Sequence, residues 1–202
     1  IQEIVTINKN SNDYKNFEFD LITNFSTTSP ISEEDFNSMD DSEIIESLYR
    51  NLSDYYETKK ENNKELAFPV IRNVYENKGN NYKRIVVPFT DGAKVINIST
   101  DLKESFESKC KTLIDDFEKN ISLAIIDDKW KVHLKKMDEL KQSVQLAVHE
   151  QKDPLLIYKF EAFELFKGLI DSVNKEILSF LFKAEISTDN NKNVKEASNR
   201  RP

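Results

Sequence analysis

From Thr100 almost to Leu181 the chain keeps one rhythm: apolar residues recur three or four positions apart, the period of an α-helix. The first run is Leu123, Ile126, Trp130, Leu134, Met137, Leu140, Val144 and Val148, with Asp127-Asp128 as a candidate break. Glu150-Gln151-Lys152-Asp153-Pro154 then stops one helix and starts the next. Asp153 suits the N-cap and Pro154 the first helical position, where its missing N–H costs nothing. The second run is Leu156, Phe160, Phe163, Phe166, Ile170, Val173, Ile177 and Leu181, one broad apolar face. Two long helices with a short connection make an antiparallel helical hairpin. The stripe Phe160, Phe163, Phe166 is expected in its core, and any exposed remainder could bind another helix or a second copy of the chain.

The N-terminal half is less regular. Residues 1–30 are polar and rich in Asn and Thr, and are expected to form at most one short helix or strand. Ser32, followed by Glu33, Glu34 and Asp35, predicts a helix start, and Ser42 predicts a second. Ile44, Ile45, Leu48, Leu52 and Tyr55 support a helix to about Lys60. A further helix is expected over about Lys64 to Lys78, with Pro69 in its first turns and Gly79 at the stop. Tyr82 to Phe89 and Lys94 to Ile98 then read as two strands around an Asp91-Gly92 turn, Pro88 suggesting an edge or a bulge. The fold class is therefore mainly α: a long antiparallel helical hairpin plus a smaller helical unit carrying a β-hairpin. The expected divisions are 1–112 with the β-hairpin at about 82–98, then 113–186, then a polar tail over 187–202 expected to be disordered.

Composition narrows function. The three glycines, Gly79, Gly92 and Gly168, never share a loop, so neither phosphate-cradling glycine motif can be written. A net charge of −7 disfavours binding nucleic acid through its phosphates. The lone Cys110 excludes an internal disulfide and a multi-cysteine zinc site; the neighbouring Lys109 and Lys111 are expected to lower its pKa slightly. His133 and His149 are too far apart along a helix to share one metal, and a surface or hydrogen-bonded structural role is expected for His133. No apolar run approaches the ~20 residues that a membrane-spanning helix needs. An opening Ile1 without a basic, then apolar, leader reads as a processed or excised chain without a signal peptide.

Within the hairpin stand Ile126-Asp127, Trp130, His133-Leu134, Met137-Asp138, Leu140, Gln151-Lys152-Asp153-Pro154, Tyr158-Lys159, Phe163 and Phe166, with Phe117-Glu118-Lys119 upstream. In this long, unevenly spaced string the chain resembles the SecA family of preprotein translocase motors. The segment RIVVPFTDGAKVINI resembles an insertion in the wing of one bacterial branch of that family.

The resemblance implies a helical wing over 1–112 and the two-helix finger of the helical scaffold over 113–186, as part of a peripheral ATPase whose nucleotide-binding domains lie elsewhere. It implies no cofactor and no catalytic or metal-binding residue here, ATP and Mg belonging to the whole motor. It implies that fingertip residues Ala147, Val148, His149, Glu150, Gln151 and Lys152 contact the translocating preprotein and the SecY channel, with Asp153 and Pro154 capping the turn. It assigns Trp130, Leu134, Met137, Tyr158, Phe163 and Phe166 to packing the finger and coupling it to the motor. Its expected partners are unfolded preprotein, the SecY complex, the remaining SecA domains and, peripherally, the membrane surface, at a cytoplasmic location on the inner membrane. No nucleic acid is expected, and a homodimer is a further expectation. The sequence departs from the family at the tip, where His149 replaces a tyrosine, and it lacks the cysteines of the zinc-binding extension. A structural helical adaptor or dimerisation module without substrate contact is the alternative reading.

Overall fold

A computed structural model describes residues 1–78, 81–146 and 153–187. Its elements are α1 (Gln2–Ser11), α2 (Tyr14–Phe25), α3 (Glu33–Ser38), α4 (Asp41–Lys78), β1 (Arg84–Thr90), β2 (Val95–Asp101), α5 (Leu102–Glu107), α6 (Lys111–Leu146), α7 (Pro154–Lys183) and β3 (Glu185–Ile186). The fold is mainly helical with a small antiparallel sheet, the predicted class. Gly79, residues 147–152 and the tail from 188 onward lie outside the described residues. The chain divides into one compact unit of 1–118 with 179–202, and a second of 119–178.

In the first unit the polar N-terminus forms two helices rather than one short element. Their apolar residues sit four apart, as in Phe17, Leu21 and Phe25, all buried. The Asn-rich character that hides the pattern is partly structural. Asn8 is fully buried; its Nδ2 donates to Asp20 Oδ2 at 2.8 Å and to Ile4 O at 2.9 Å, and its Oδ1 accepts from Asn16 Nδ2 at 2.7 Å. A buried amide with these partners escapes the penalty of desolvation. Asp13 caps α2 by accepting from Asn16 N at 3.0 Å, and Ser32 caps α3, where predicted, by accepting from Asp35 N at 3.2 Å.

Helix α4 runs 38 residues where two helices were expected. It starts at Asp41, just before Ser42, with the Glu43 carboxylate accepting from Asp40 N at 3.2 Å. Nothing around Glu61-Asn62-Asn63 stops it: Asn63 is buried, and Lys64 pairs with Glu61 at 2.8 Å along the helix. Pro69 is therefore interior to the helix, where its ring removes one backbone hydrogen bond.

The β-hairpin forms around Asp91-Gly92. Asp91 Oδ1 accepts from Ala93 N at 2.9 Å and Lys94 N at 2.7 Å, and Gly92 takes φ +89°, which glycine adopts freely. Partial burial opposes charging of Asp91, but the N–H donors of Lys94 and Ala93 outweigh it and hold the carboxyl below its usual range. Strand β2 continues to Asp101, beyond the expected end at Ile98. The sheet order is β2-β1-β3, so Pro88 stands on the central strand, not on an edge. Hydrogen-bonded rungs at Lys83–Leu102 and Asp91–Lys94 fix the alternation along the ladder. Pro88 consequently turns its main chain away from β2 and towards β3, where its carbonyl accepts from Ser187 N at 3.0 Å. Its missing N–H thus costs the main ladder nothing.

Between α5 and α6 the chain turns through Lys109 and Cys110, at φ 51° and 67°, where continuous helix was expected. Cys110 is buried, and burial pushes its thiol up to about 11, outweighing the opposing effect of Lys64; the expected lowering by its sequence neighbours does not occur. Beyond this turn α6 is unbroken through Asp127-Asp128.

The core of the first unit is closed by the end of α7. Phe182 is buried with Val5, Phe17, Leu21, Phe25, Phe36, Ile44, Leu48 and Leu52. Its ring lies 5.2 Å from that of Phe25, 5.3 Å from Tyr56 and 6.0 Å from Tyr55. Lys59 Nζ donates to the Phe182 carbonyl, one of the unpaired acceptors at a helix C-terminus. Tyr56 Oη donates to Glu118 Oε1 at 3.0 Å, and Lys60 lies 3.8 Å from the same carboxylate. Phe117 stacks at 4.2 Å on Phe89 of the sheet.

Two outcomes follow from this packing. Phe182→Ala should cost about 3–5 kcal/mol in urea unfolding, as for a core aromatic, while Phe160→Ala, at an exposed position, should stay within about 0.5 kcal/mol. Burial and the adjacent Glu118 raise the Tyr56 phenol above its ordinary value. Its contribution is therefore complete below the unfolded tyrosine pKa of about 10 and is lost as pH rises above it. Tyr56→Phe should flatten that alkaline fall in the urea midpoint between about pH 9 and 11.

Candidate interaction surface on the helical hairpin

The second unit consists of residues 119–178. Helix α7 is started by Asp153, whose Oδ1 accepts from Leu155 N at 2.9 Å and Leu156 N at 3.4 Å, with Pro154 as the first helical residue. Lys129 of α6 pairs with Glu176 of α7 at 2.6 Å. Both groups are partly exposed, so the pair marks the antiparallel register and adds at most about 1 kcal/mol.

Only part of each expected stripe faces inward: Met137, Leu140 and Val144 on α6, and Val173 and Ile177 on α7. Within this unit the buried residues of α6 are Ile121, Ile125, His133 and Val144, with Met137 and Leu140 half-buried. On α7 Tyr158, Ala162, Leu165 and Leu169 are half-buried and Val173 is buried. Leu123, Ile126, Trp130, Leu134, Phe160, Phe163, Phe166 and Ile170 are exposed instead. The phenylalanines expected in the hairpin core are thus outside it. Ala162, Leu165 and Leu169 form a half-buried apolar row at three- and four-residue spacing on α7. Helix α7 is apolar on more than one side, and period alone cannot choose between two apolar rows.

Leu123, Trp130, Leu134, Phe163, Phe166 and Ile170 share one face, while Phe160 points away from it. At about 100° per residue, Trp130 and Leu134 lie ~60° and ~100° around α6 from His133. Phe166 and Ile170 lie ~60° and ~100° around α7 from Leu169, in the same rotational sense. In an antiparallel pair, equal rotations from the facing line point to the same side. Ring contacts agree: His133 lies 5.5 Å from Trp130 and 6.1 Å, edge-on, from Phe166. Trp130 is 45% exposed, Phe163 63% and Phe166 47%. A contiguous apolar face of this kind is the mark of an interaction surface.

His133 is the residue that sequence reasoning misplaced most clearly. Neither on the surface nor hydrogen-bonded, it is 8% exposed, and its imidazole has no hydrogen bond to any described residue. Its position in the series His133, Met137, Leu140 and Val144, spaced four, three and four apart, was the available signal. Of the fingertip set, Ala147 to Lys152 lie outside the described residues. Among the described residues no cluster of His, Cys, Asp and Glu could hold a metal, and no helix is long and apolar enough to cross a membrane.

Trp130 is the chain's one tryptophan. Its half-exposed ring should be readily quenched by acrylamide in the isolated chain; a strongly protected indole would contradict the open face.

A family model described as the SecA Wing and Scaffold domain matches residues 1–185. The chain is 58% identical over 195 residues to protein translocase subunit SecA of Flavobacterium psychrophilum, covering 96% of this chain and 17% of that protein. It is 56% identical over 196 residues to protein translocase subunit SecA of Christiangramia forsetii, covering 97% and 18%. It is 45% identical over 183 residues to protein translocase subunit SecA of Cytophaga hutchinsonii, covering 91% and 16%. The chain therefore spans only 16% to 18% of the length of these relatives. No solved structure matches it. The matched domain is a non-catalytic one. The chain belongs to the SecA family and represents its wing and scaffold region.

Proposed function

We infer that this region works as the polypeptide-handling, non-hydrolysing part of a SecA translocation motor. The observation that carries this reading is the match to the SecA wing and scaffold together with a hairpin that leaves Trp130, Leu134, Phe163 and Phe166 open on one face. The hairpin, within 113–186, acts as the two-helix finger. Its tip, Ala147 to Lys152, contacts the moving preprotein and the mouth of the SecY channel, and Asp153 and Pro154 cap the turn behind it. At the tip His149 offers an imidazole that can stack on or hydrogen-bond to a passing backbone without demanding one sequence. The open face, with Met137 and Tyr158 in support, docks on the scaffold helix of the remaining motor and passes finger position to its ATPase. The wing, within 1–112, forms part of the clamp around the polypeptide. The whole motor works from the cytoplasm, peripherally on the inner membrane.

The test compares tip with face in a full-length SecA carrying this region. His149→Ala should leave thermal unfolding unchanged and lower preprotein translocation severalfold. Equal translocation by the two proteins would remove the tip from the mechanism and favour a structural adaptor, for which only face substitutions matter. Added in trans to a SecA motor core that lacks this region, the isolated chain should suppress ATP turnover and show none of its own.

A further inference from the structure

The open face of the hairpin is not uniformly apolar. At its floor sits His133, more than nine-tenths buried, with its ring against Trp130 and Phe166, two residues of that face. The imidazole has no hydrogen bond to any described residue. Yet no fully buried side-chain nitrogen or oxygen lacks a partner among the described residues. Both ring nitrogens therefore keep some contact with solvent, although the residue as a whole is buried. A partner helix that covers this face removes that solvent, and a desolvated imidazole N–H without an acceptor opposes docking.

The shape of the face selects the kind of partner. Trp130 with Leu134, and Phe166 with Ile170, project by equal angles from two antiparallel helices. Two such rows form a groove that takes the apolar stripe of a third helix. The α6 row from Leu123 to Leu134 is about 16 Å long, some three turns of a partner helix. The relatives are far longer than this chain, which covers only 16% to 18% of them, so most of a SecA polypeptide is available to supply that helix.

We propose that the helix docking on this face carries, within its apolar stripe, one side-chain oxygen acceptor that receives a hydrogen bond from His133. The proposal rests on the reading of the face as a docking surface, and adds the chemistry that the partner must bring. In the docked state the buried pair fixes the position of the third helix along the groove, because sliding by one turn leaves both polar groups dry and unpaired.

Hydrogen exchange of the hairpin amides tests this, in the isolated 202-residue chain and in a full-length SecA carrying this region. His133→Phe keeps a planar aromatic ring and removes its polar atoms. Exchange in the isolated chain should be unchanged or slower. In the full-length protein the orphaned acceptor should speed exchange about tenfold or more. Phe163→Ser, on the exposed row, tests the docking itself and should speed exchange in the full-length protein only. If Phe163→Ser acts there and His133→Phe does not, docking stands and the acceptor is overturned. If both are silent in the full-length protein, docking and acceptor fall together. Equal acceleration by His133→Phe in both proteins would make His133 a packing residue and overturn the proposal, as would an effect of His133→Phe without one of Phe163→Ser. Self-association of the isolated chain that Phe163→Ser and His133→Phe both abolish would name a second copy as the occupant, and would also overturn it.

Discussion

One turn of helix α4, Tyr55 to Lys60, holds the first unit together. Tyr55 and Tyr56 stack on Phe182, Lys59 takes the Phe182 carbonyl, and Tyr56 and Lys60 meet Glu118. Aromatic pairs of this geometry add about 0.5–1.5 kcal/mol beyond their buried area. The Lys59 ammonium is half-buried; burial pulls it below its usual range, with Glu185 only partly offsetting the shift. That strain is accepted because the helix end needs an acceptor satisfied. Helices α6 and α7 each leave a piece of themselves in this core, so the unit is built from both ends of the chain.

The second unit follows a different logic. Its interior is thin: α7 contributes half-buried Ala162, Leu165 and Leu169, α6 a buried histidine, and the Lys129–Glu176 pair joins the two helices. Its larger aromatic residues lie outside. A chain selected only to stabilise an isolated hairpin would place Trp130, Phe163 and Phe166 between the helices, where their burial would contribute most. Their outward placement leaves a second apolar face open, consistent with a region that is one part of a larger SecA.

Long helices, the turn at Asp91-Gly92 and the Ser32 cap were legible because each has a short-range cause: apolar spacing, a glycine at positive φ, a hydroxyl three residues before a backbone N–H. The failures have long-range causes. The continuity of α4 depends on tertiary packing of Asn63, and the central placement of Pro88 on a two-residue strand, Glu185–Ile186, too short to announce itself. The helices of 1–30 were masked because their buried asparagine looks like loop composition until Asp20 and Asn16 are seen to satisfy it. At the candidate surface the right residue types could be read off, but not the choice between two apolar rows on α7, which only the partner helix α6 decides.

The dependence of the first core on Phe182 also sets an order in time. Synthesis proceeds from the N-terminus at about 5–20 residues per second, so the ~60 residues between Glu118 and Phe182 take roughly 3 to 12 s to add. Throughout that interval Phe25, Tyr55 and Tyr56 wait beside an empty place in the core while the hairpin sequence emerges. The first unit is thus the earlier to be made and the later to be completed, and a nascent chain halted within the hairpin would present an unfinished apolar surface to the cell's holding chaperones.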